Sequence, residues 1–194
     1  PAILRQGKSM TFAACDLAGE QGLATRALFC FGAPRPTALA VDAPGAPDVP
    51  PPEDCPPLFR GGRPTFAHHL DQRLAGGAHP GSGAGRGEML VWVRIIDPAP
   101  PATPSTLIAL GDALPPATMP RLSAPAAIST VSWQLDFMAG LDFGGGDAPD
   151  PAGWFLLRST EEASGEGYSA QRMGMWDAAG RPVLIARQSV AVFA

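Results

Sequence analysis

A short helical segment between prolines constrains the fold of this chain most. Residues 104–114 are apolar almost all round, whereas a helix on a protein surface has a single apolar stripe. Thr103 followed by Pro104 is typical of a helix start, and Pro115 with Pro116 ends the segment. We therefore expect a short helix that other secondary structure encloses.

The chain after this helix is rich in β-structure. We predict strands at residues 129–137, 153–163, 168–176 and 182–193, with a hairpin turn that ends at Gly180. In the first of them, alternation places Val131, Trp133, Leu135 and Phe137 on one face and Thr130, Ser132, Gln134 and Asp136 on the other. This order of elements predicts an α+β fold with a long antiparallel sheet around the helix.

Prolines divide the rest of the chain. Residues 1–32 predict two strands and a turn, and residues 33–64 predict a proline-rich linker that runs extended over the surface. Residues 65–194 then form a second domain, which adds strands at 66–74 and 88–96 before the helix. A weak repeat relates residues 8–31 to 167–193 and indicates two related sheets.

Composition excludes several classes of function. The net charge is −4 and Lys8 is the single lysine, so we expect no nucleic-acid partner. No run approaches the roughly 20 apolar residues of a membrane-spanning helix, and we expect no membrane partner. The three cysteines lack metal-ligand spacing, which favours reduced thiols in a cytoplasmic protein and no metal site.

Three polar residues interrupt this apolar pattern. Asp112 ends the apolar helix, Gln188 lies on the same strand face as Leu184, Ala186 and Val190, and Thr130 opens a strand. A buried carboxylate or amide needs partners, so convergence of the three would make a reactive site. Each also has a plainer interpretation: Asp112 reaches solvent, Gln188 makes a structural hydrogen bond, and Thr130 reflects β-propensity.

Three segments of the chain resemble one protein family. Leu-Ile-Ala-Leu-Gly-Asp at 107–112, Ser-Thr-Val-Ser-Trp-Gln-Leu-Asp-Phe at 129–137 and Asp-Ala-Ala-Gly-Arg-Pro-Val-Leu-Ile-Ala-Arg-Gln at 177–188 resemble the acyl-CoA thioesterases II, which are TesB-like double hotdog proteins. The resemblance implies that residues 65–194 form a complete hotdog and residues 1–32 the end of a first one. That first hotdog lacks the family's opening strands and helix in this sequence, so we expect it to be incomplete.

The resemblance also implies a mechanism. Asp112 would activate a water, and Thr130 and Gln188 would position it for hydrolysis of an acyl-CoA to free acid and CoA, without a metal or redox cofactor. An apolar acyl tunnel would draw on Trp92, Trp133, Phe137 and Trp154, although core packing is the plainer role of any one aromatic residue. Hotdog sheets usually pair, so we also expect a homo-oligomer that serves lipid metabolism.

The sequence leaves two alternatives open. A dehydratase or hydratase on the same fold would need a catalytic Asp/His pair, and no histidine lies between the helix and the last strand. A non-catalytic module that binds acyl-CoA or serves assembly would keep the scaffold without turnover. Release of free CoA from acyl-CoA separates such a module from the hydrolase.

Overall fold

The chain contains two compact units, 1–42 and 43–194. The computed structural model describes residues 1–39, 44–138, 141 and 148–194. The sequence predicts a division into residues 1–32, a linker at 33–64 and a domain at 65–194. In the structure the described part of the linker from residue 44 onward belongs to the second unit.

The first unit is a small antiparallel sheet. Its strands are β1 (Ala2–Gln6), β2 (Met10–Gly19) and β3 (Gly22–Gly32), in the order β1-β2-β3. Gly22 has φ +103°, a conformation that glycine adopts without steric cost, in the tight turn between β2 and β3. The predicted strand–turn–strand is thus present, with one further strand before it.

The second unit is built on a six-stranded sheet. Its strands are β4 (Leu70–Gly77), β5 (Glu88–Ile95), β6 (Ala127–Phe137), β7 (Phe155–Gly165), β8 (Tyr168–Asp177) and β9 (Pro182–Phe193). They lie in the order β4-β5-β7-β8-β9-β6, and every neighbouring pair is antiparallel. The long connection from β5 to β6 therefore carries the chain to the opposite edge of the sheet.

The single α-helix of the described residues, α1 (Pro104–Gly111), covers one face of this sheet. Thr103 caps it, since its side chain accepts a hydrogen bond from the Thr106 N–H. Leu107 and Leu110 are buried in one core cluster with residues from the strands, among them Met89, Val91, Val93, Phe155, Leu157, Met175 and Leu184. We call the strand face that carries these residues the inner face. The predicted enclosure of the helix is wrong for this structure, because Leu107 and Leu110 are buried while Ser105 and Ala109 on its other side are exposed. The helix also ends at Gly111, before the two prolines.

The described part of the proline-rich segment packs closely on the second unit. Leu58 is buried in the core, and its N–H donates to the Gln72 carbonyl at 2.9 Å. The indole N–H groups of Trp92 and Trp176 donate to the carbonyls of Pro50 and Pro44, each at 2.8 Å. Prolines lack an N–H but keep a carbonyl acceptor, so indole side chains can hold an extended proline-rich segment in place. Most described residues of this segment are exposed, as a course over the surface predicts, while Cys55 and Leu58 are buried.

One predicted strand also starts later than expected. The sequence predicts a strand at residues 66–74, but the chain forms a short 3₁₀ helix at Thr65–His69, and β4 begins at Leu70. Two further 3₁₀ turns lie at Pro52–Asp54 and Met119–Arg121. Among the described residues, no helix has the length and hydropathy needed to cross a membrane.

Candidate active site

A row of polar side chains crosses the inner face of the sheet. Glu161 on β7 pairs with Gln171 on β8, and Gln171 pairs with Gln188 on β9. Residues directly opposite each other in antiparallel strands point to the same face, so these three side chains lie side by side. Gln188 thus has the neighbours that a buried amide requires.

A β-bulge on β6 brings Thr130 to the same face. Gln188 pairs with Trp133, yet Thr130 pairs with Val190, because the register shifts between Thr130 and Ser132. Val131 is the extra residue, and it is 60% exposed. Strict alternation placed Thr130 on the face opposite Trp133, which is wrong; the bulge re-aims the side chain, as bulges near functional sites often do.

Hydrogen bonds join this row into a chain. The Gln188 Nε2 group donates to Thr130 Oγ1 at 2.9 Å, and Gln171 Nε2 donates to Gln188 Oε1 at 2.5 Å. The backbone N–H of Ala117 donates to Gln171 Oε1. Gln171 is 1% exposed and Gln188 7% exposed, whereas Thr130 is exposed. The chain therefore runs from the core to an accessible hydroxyl at the edge strand.

Asp112 lies at the end of α1. It is the C-terminal cap of the helix, and its N–H donates to the Ile108 carbonyl at 3.0 Å. A Cβ on the preceding Gly111 would lie 3.2 Å from Leu184 Cδ2 and 3.7 Å from Trp133 Cζ2. The helix therefore ends against β9 and β6, the two strands that carry Gln188 and Thr130.

Asp112 as a whole residue is exposed, and its carboxylate has no hydrogen-bond partner within the described ranges, Thr130 and Gln188 included. Burial nevertheless raises the pKa of this carboxyl, because the surrounding chain removes part of its hydration. The structure thus joins Thr130 directly to Gln188, and places Asp112 on the element that packs against their strands.

The four predicted substrate-binding aromatics divide between the two faces. Trp133 and Phe137 lie on the inner face and pack against the core cluster. Trp92 pairs with Arg73 on the outer face, and the Trp154 ring lies below the Arg94 guanidinium at 4.5 Å. The structure therefore does not bring Trp92 and Trp154 to Thr130 and Gln188.

Sequence reasoning missed two members of the row, Gln171 and Glu161. Spacing of two along β8 puts Gln171 on the face of Met173 and Met175, which is the same signal that singled out Gln188. Glu161 is nearly buried and forms an ion pair with Arg121 at 2.9 Å. Burial opposes its charge, but hydrogen bonds from Arg121, Ser164 and Thr118 outweigh that effect and lower the pKa of the carboxyl.

The described part of the chain contains no group of three or more His, Cys, Asp and Glu side chains that could hold a metal ion. His79 uses its Nδ1–H as a donor to the Leu58 carbonyl at 2.8 Å, and His68 and His69 lie in the 3₁₀ turn before β4. The polar groups available for chemistry at the site are therefore a carboxylate, a hydroxyl and amides.

Comparison with known proteins agrees with this architecture. A protein with a hot dog fold from Alicyclobacillus acidocaldarius is 25% identical with a TM-score of 0.80, and the match covers 98% of this chain and 70% of that one. The tesB protein of Mycobacterium avium subs paratuberculosis matches at 15% identity and a TM-score of 0.74, over 100% of this chain and 70% of that one. The acyl-CoA thioesterase II TesB2 of Mycobacterium marinum matches at 16% identity and a TM-score of 0.72, over 99% and 72%.

The sheet and helix of the second unit thus form a hotdog fold. No curated protein sequence matches the chain at a significant level. The family profile described as the acyl-CoA thioesterase C-terminal domain matches residues 48–192, which is most of the chain. The chain therefore belongs to the acyl-CoA thioesterase family that this profile describes and is a thioester hydrolase.

Proposed function

We propose that the chain hydrolyses acyl-CoA with a water that Asp112 activates and that Thr130 and Gln188 position. The observation that carries the proposal is the 2.9 Å hydrogen bond between Gln188 and the Thr130 hydroxyl, made possible by the bulge on β6. Such a hydroxyl, held by a buried amide and still exposed, is suited to orienting a reactant.

The reaction begins with proton transfer from water to the Asp112 carboxylate. The water oxygen then attacks the thioester carbonyl carbon, and collapse of the tetrahedral intermediate breaks the C–S bond. Asp112 returns its proton to the departing CoA thiolate, so the carboxylate is regenerated. The raised pKa supports this role, since a general base works best with a pKa near the operating pH.

The acyl group would lie along the inner face near the pair. Trp133 and Phe137 are half-buried there, and the Trp133 indole nitrogen is buried without a partner among the described residues. We therefore restrict the proposed acyl contacts to these two aromatics. Trp92 and Trp154 lie on the outer face, where Pro50 and two arginines already engage them.

We further propose that the first unit supplies closing strands of a first hotdog, so that the chain is part of a double hotdog. The structural matches support this, since they extend over 98–100% of the chain and thus include both units. Pairing of hotdog sheets would give a homo-oligomer. Free Cys15, Cys30 and Cys55 fit a cytoplasmic enzyme of lipid metabolism.

Release of free CoA from a panel of acyl-CoAs tests this function. Asp112→Asn and Gln188→Ala should each lower kcat by roughly 100-fold or more, which is typical for loss of a general base or a positioning group. Thr130→Val should lower it too, because it removes the hydroxyl and keeps the shape.

Gln134→Ala and Asp136→Asn are matched controls. Both residues lie on β6, are exposed, and face away from the pair, so turnover should stay near that of the wild type. Activity that survives Asp112→Asn and Gln188→Ala would place the site elsewhere. Binding of acyl-CoA without thiol release by the wild type would instead support the acyl-CoA-binding module.

A further inference from the structure

The hydrogen-bonded chain on the inner face starts at the backbone N–H of Ala117, which can only donate. We propose that Gln171 is a positioning residue that fixes the orientation of the Gln188 amide and thereby directs the Thr130 hydroxyl proton toward the reacting water. This inference rests on the proposed hydrolysis through Thr130 and Gln188, and it assigns a residue that the proposed function does not use.

The direction of each hydrogen bond follows from the first one. The Ala117 N–H has no acceptor atom, so the Gln171 atom that faces it is Oε1. The amide of Gln171 then presents Nε2 to Gln188, whose facing atom is Oε1 at 2.5 Å. Gln188 in turn presents Nε2 to Thr130. Amide nitrogen only donates, so the Thr130 oxygen accepts and its single proton remains for another partner.

This direction matches what a reacting water needs. A water that gives a proton to Asp112 must find a donor for its oxygen if it is to be held in place. The Thr130 hydroxyl is such a donor only while Gln188 offers it an N–H. If the Gln188 amide were reversed, the hydroxyl would donate to Gln188 Oε1 and would be lost to the water.

Threonine alone cannot impose this direction, because a hydroxyl donates and accepts equally well. The group that fixes the orientation of the Gln188 amide must therefore lie on the side of Gln188 away from Thr130. Gln171 is 1% exposed, and its Nε2 has Met173 Sδ as its other neighbour, at 3.5 Å. Its oxygen is committed to a buried backbone group, so rotation of the amide would face two donors toward each other.

The same contact also holds the segment that begins at Asp112. Gln72 on β4 donates to the Ala113 carbonyl at 2.7 Å, and Gln171 accepts from the Ala117 N–H four residues later. Two buried glutamines of the inner face thus fix both ends of this proline-containing segment. The Ala117 N–H that sets the direction of the Gln171 amide is therefore part of a segment held at both ends.

The charged groups around Gln171 are few. Glu161 faces it from β7 and is paired with Arg121 of the 3₁₀ turn, and Asp112 begins the covering segment. On β9 the nearest charge, Arg187, lies on the outer face and pairs with Glu162. The carboxylate introduced by Gln171→Glu would thus have Glu161 as its close like-charged neighbour, which favours its protonated form.

Gln171→Glu tests the inference directly. The carboxylate can accept from the Ala117 N–H but has no proton for Gln188, so the Gln188 amide should reverse and withdraw the Thr130 proton. We expect kcat at pH 8 to fall roughly 10- to 100-fold with KM changed less than about threefold. Protonation restores a donor to Gln188 Oε1, so the ratio of variant to wild-type kcat should rise as the pH falls.

Gln171→Met and Gln134→Glu are the controls. Gln171→Met removes the hydrogen bonds of Gln171 without adding a titrating group. The ratio of its kcat to the wild-type kcat should therefore not change with pH. Gln134→Glu introduces a carboxylate on the outer face and should leave kcat within about twofold. A pH-independent loss in Gln171→Glu, or a loss below about threefold in both Gln171 variants, would refute the positioning role.

A double variant decides the question even if Gln171→Glu does not fold. If Gln171 acts through Thr130, then Gln171→Met combined with Thr130→Val should lose no more kcat than Thr130→Val alone. A fold-loss of kcat in the double variant equal to the product of the two single-variant losses would overturn the inference. Failure of the proposed function is recognised separately, because Asp112→Asn and Gln188→Ala would then retain activity in the same assay.

Discussion

Gly87, the residue just before β5, controls how closely three parts of the site approach one another. A Cβ at this position would lie 2.5 Å from the Ala117 carbonyl oxygen, 2.6 Å from Glu161 Oε2 and 2.7 Å from Glu161 Cβ. The Gly87 carbonyl also accepts the Glu161 N–H at 2.8 Å. Gly87→Ala must therefore displace the backbone at Ala117 or at Glu161, because the Ala117 carbonyl and the Glu161 Cβ cannot move without it.

Overpacking of this kind costs about 1–3 kcal/mol. For a domain of this size, each kcal/mol lowers Tm by about 2–4 °C, so we expect a loss of about 2–12 °C. A shift of Ala117 would also break its hydrogen bond to Gln171 and misplace the segment that carries Asp112. We therefore expect kcat for acyl-CoA hydrolysis to fall roughly tenfold or more at temperatures well below Tm.

Gly85→Ala in the same loop is the matched control, since nothing lies within 4 Å of a Cβ there. Differential scanning calorimetry and CoA release should be measured on both variants. Equal Tm values for the two, within about 1 °C, would refute the reasoning about close approach. A lowered Tm with unchanged kcat would show instead that the position of Ala117 does not matter for turnover.

Three further changes have defined outcomes. Asp112→Asn should raise the free energy of unfolding at pH 7. The pKa of Asp112 is raised in the folded state, so the stability contributed by the neutral carboxyl is present below the ordinary Asp pKa and lost as the pH rises through the folded pKa. Urea denaturation should show that the gain over the wild type vanishes in acid. Glu161→Gln should lower the free energy of unfolding by about 1–3 kcal/mol at pH 7, because the charged hydrogen bonds to Arg121 are lost. The pKa of Glu161 is lowered in the folded wild type, so the difference between variant and wild type should shrink as the pH falls through the folded pKa. A difference independent of pH would contradict the ion pair with Arg121. Leu110→Ala, at a fully buried position on α1, should cost about 2–5 kcal/mol in the same measurement, and a cost below 1 kcal/mol would contradict its place in the core.

Part of the site follows from local pattern. Alternation along residues 182–193 places Gln188 on the apolar face, and the structure confirms this, because β9 is regular through that region. The N-cap at Thr103 and the turn at Gly180 were likewise predictable, since capping and positive φ depend on residues close in sequence.

Other parts depend on pairing between distant strands. The inward position of Thr130 results from a register shift against β9, 60 residues away in the chain, and alternation alone gives the wrong face. Gln171 belongs to the site only because its strand pairs with β9 opposite Gln188. The proline-rich segment packs where the indole groups of Trp92 and Trp176 meet its carbonyls.

The sequence by itself therefore determined the elements, the family resemblance and the apolar face on which Gln188 lies. These properties arise from residues within one helix turn or one strand, where steric and hydrogen-bonding preferences act locally. Only the tertiary structure decided which polar groups meet and which atom of each amide faces its neighbour. That outcome depends on strand register, on one bulge, and on a backbone N–H of Ala117 that can only donate.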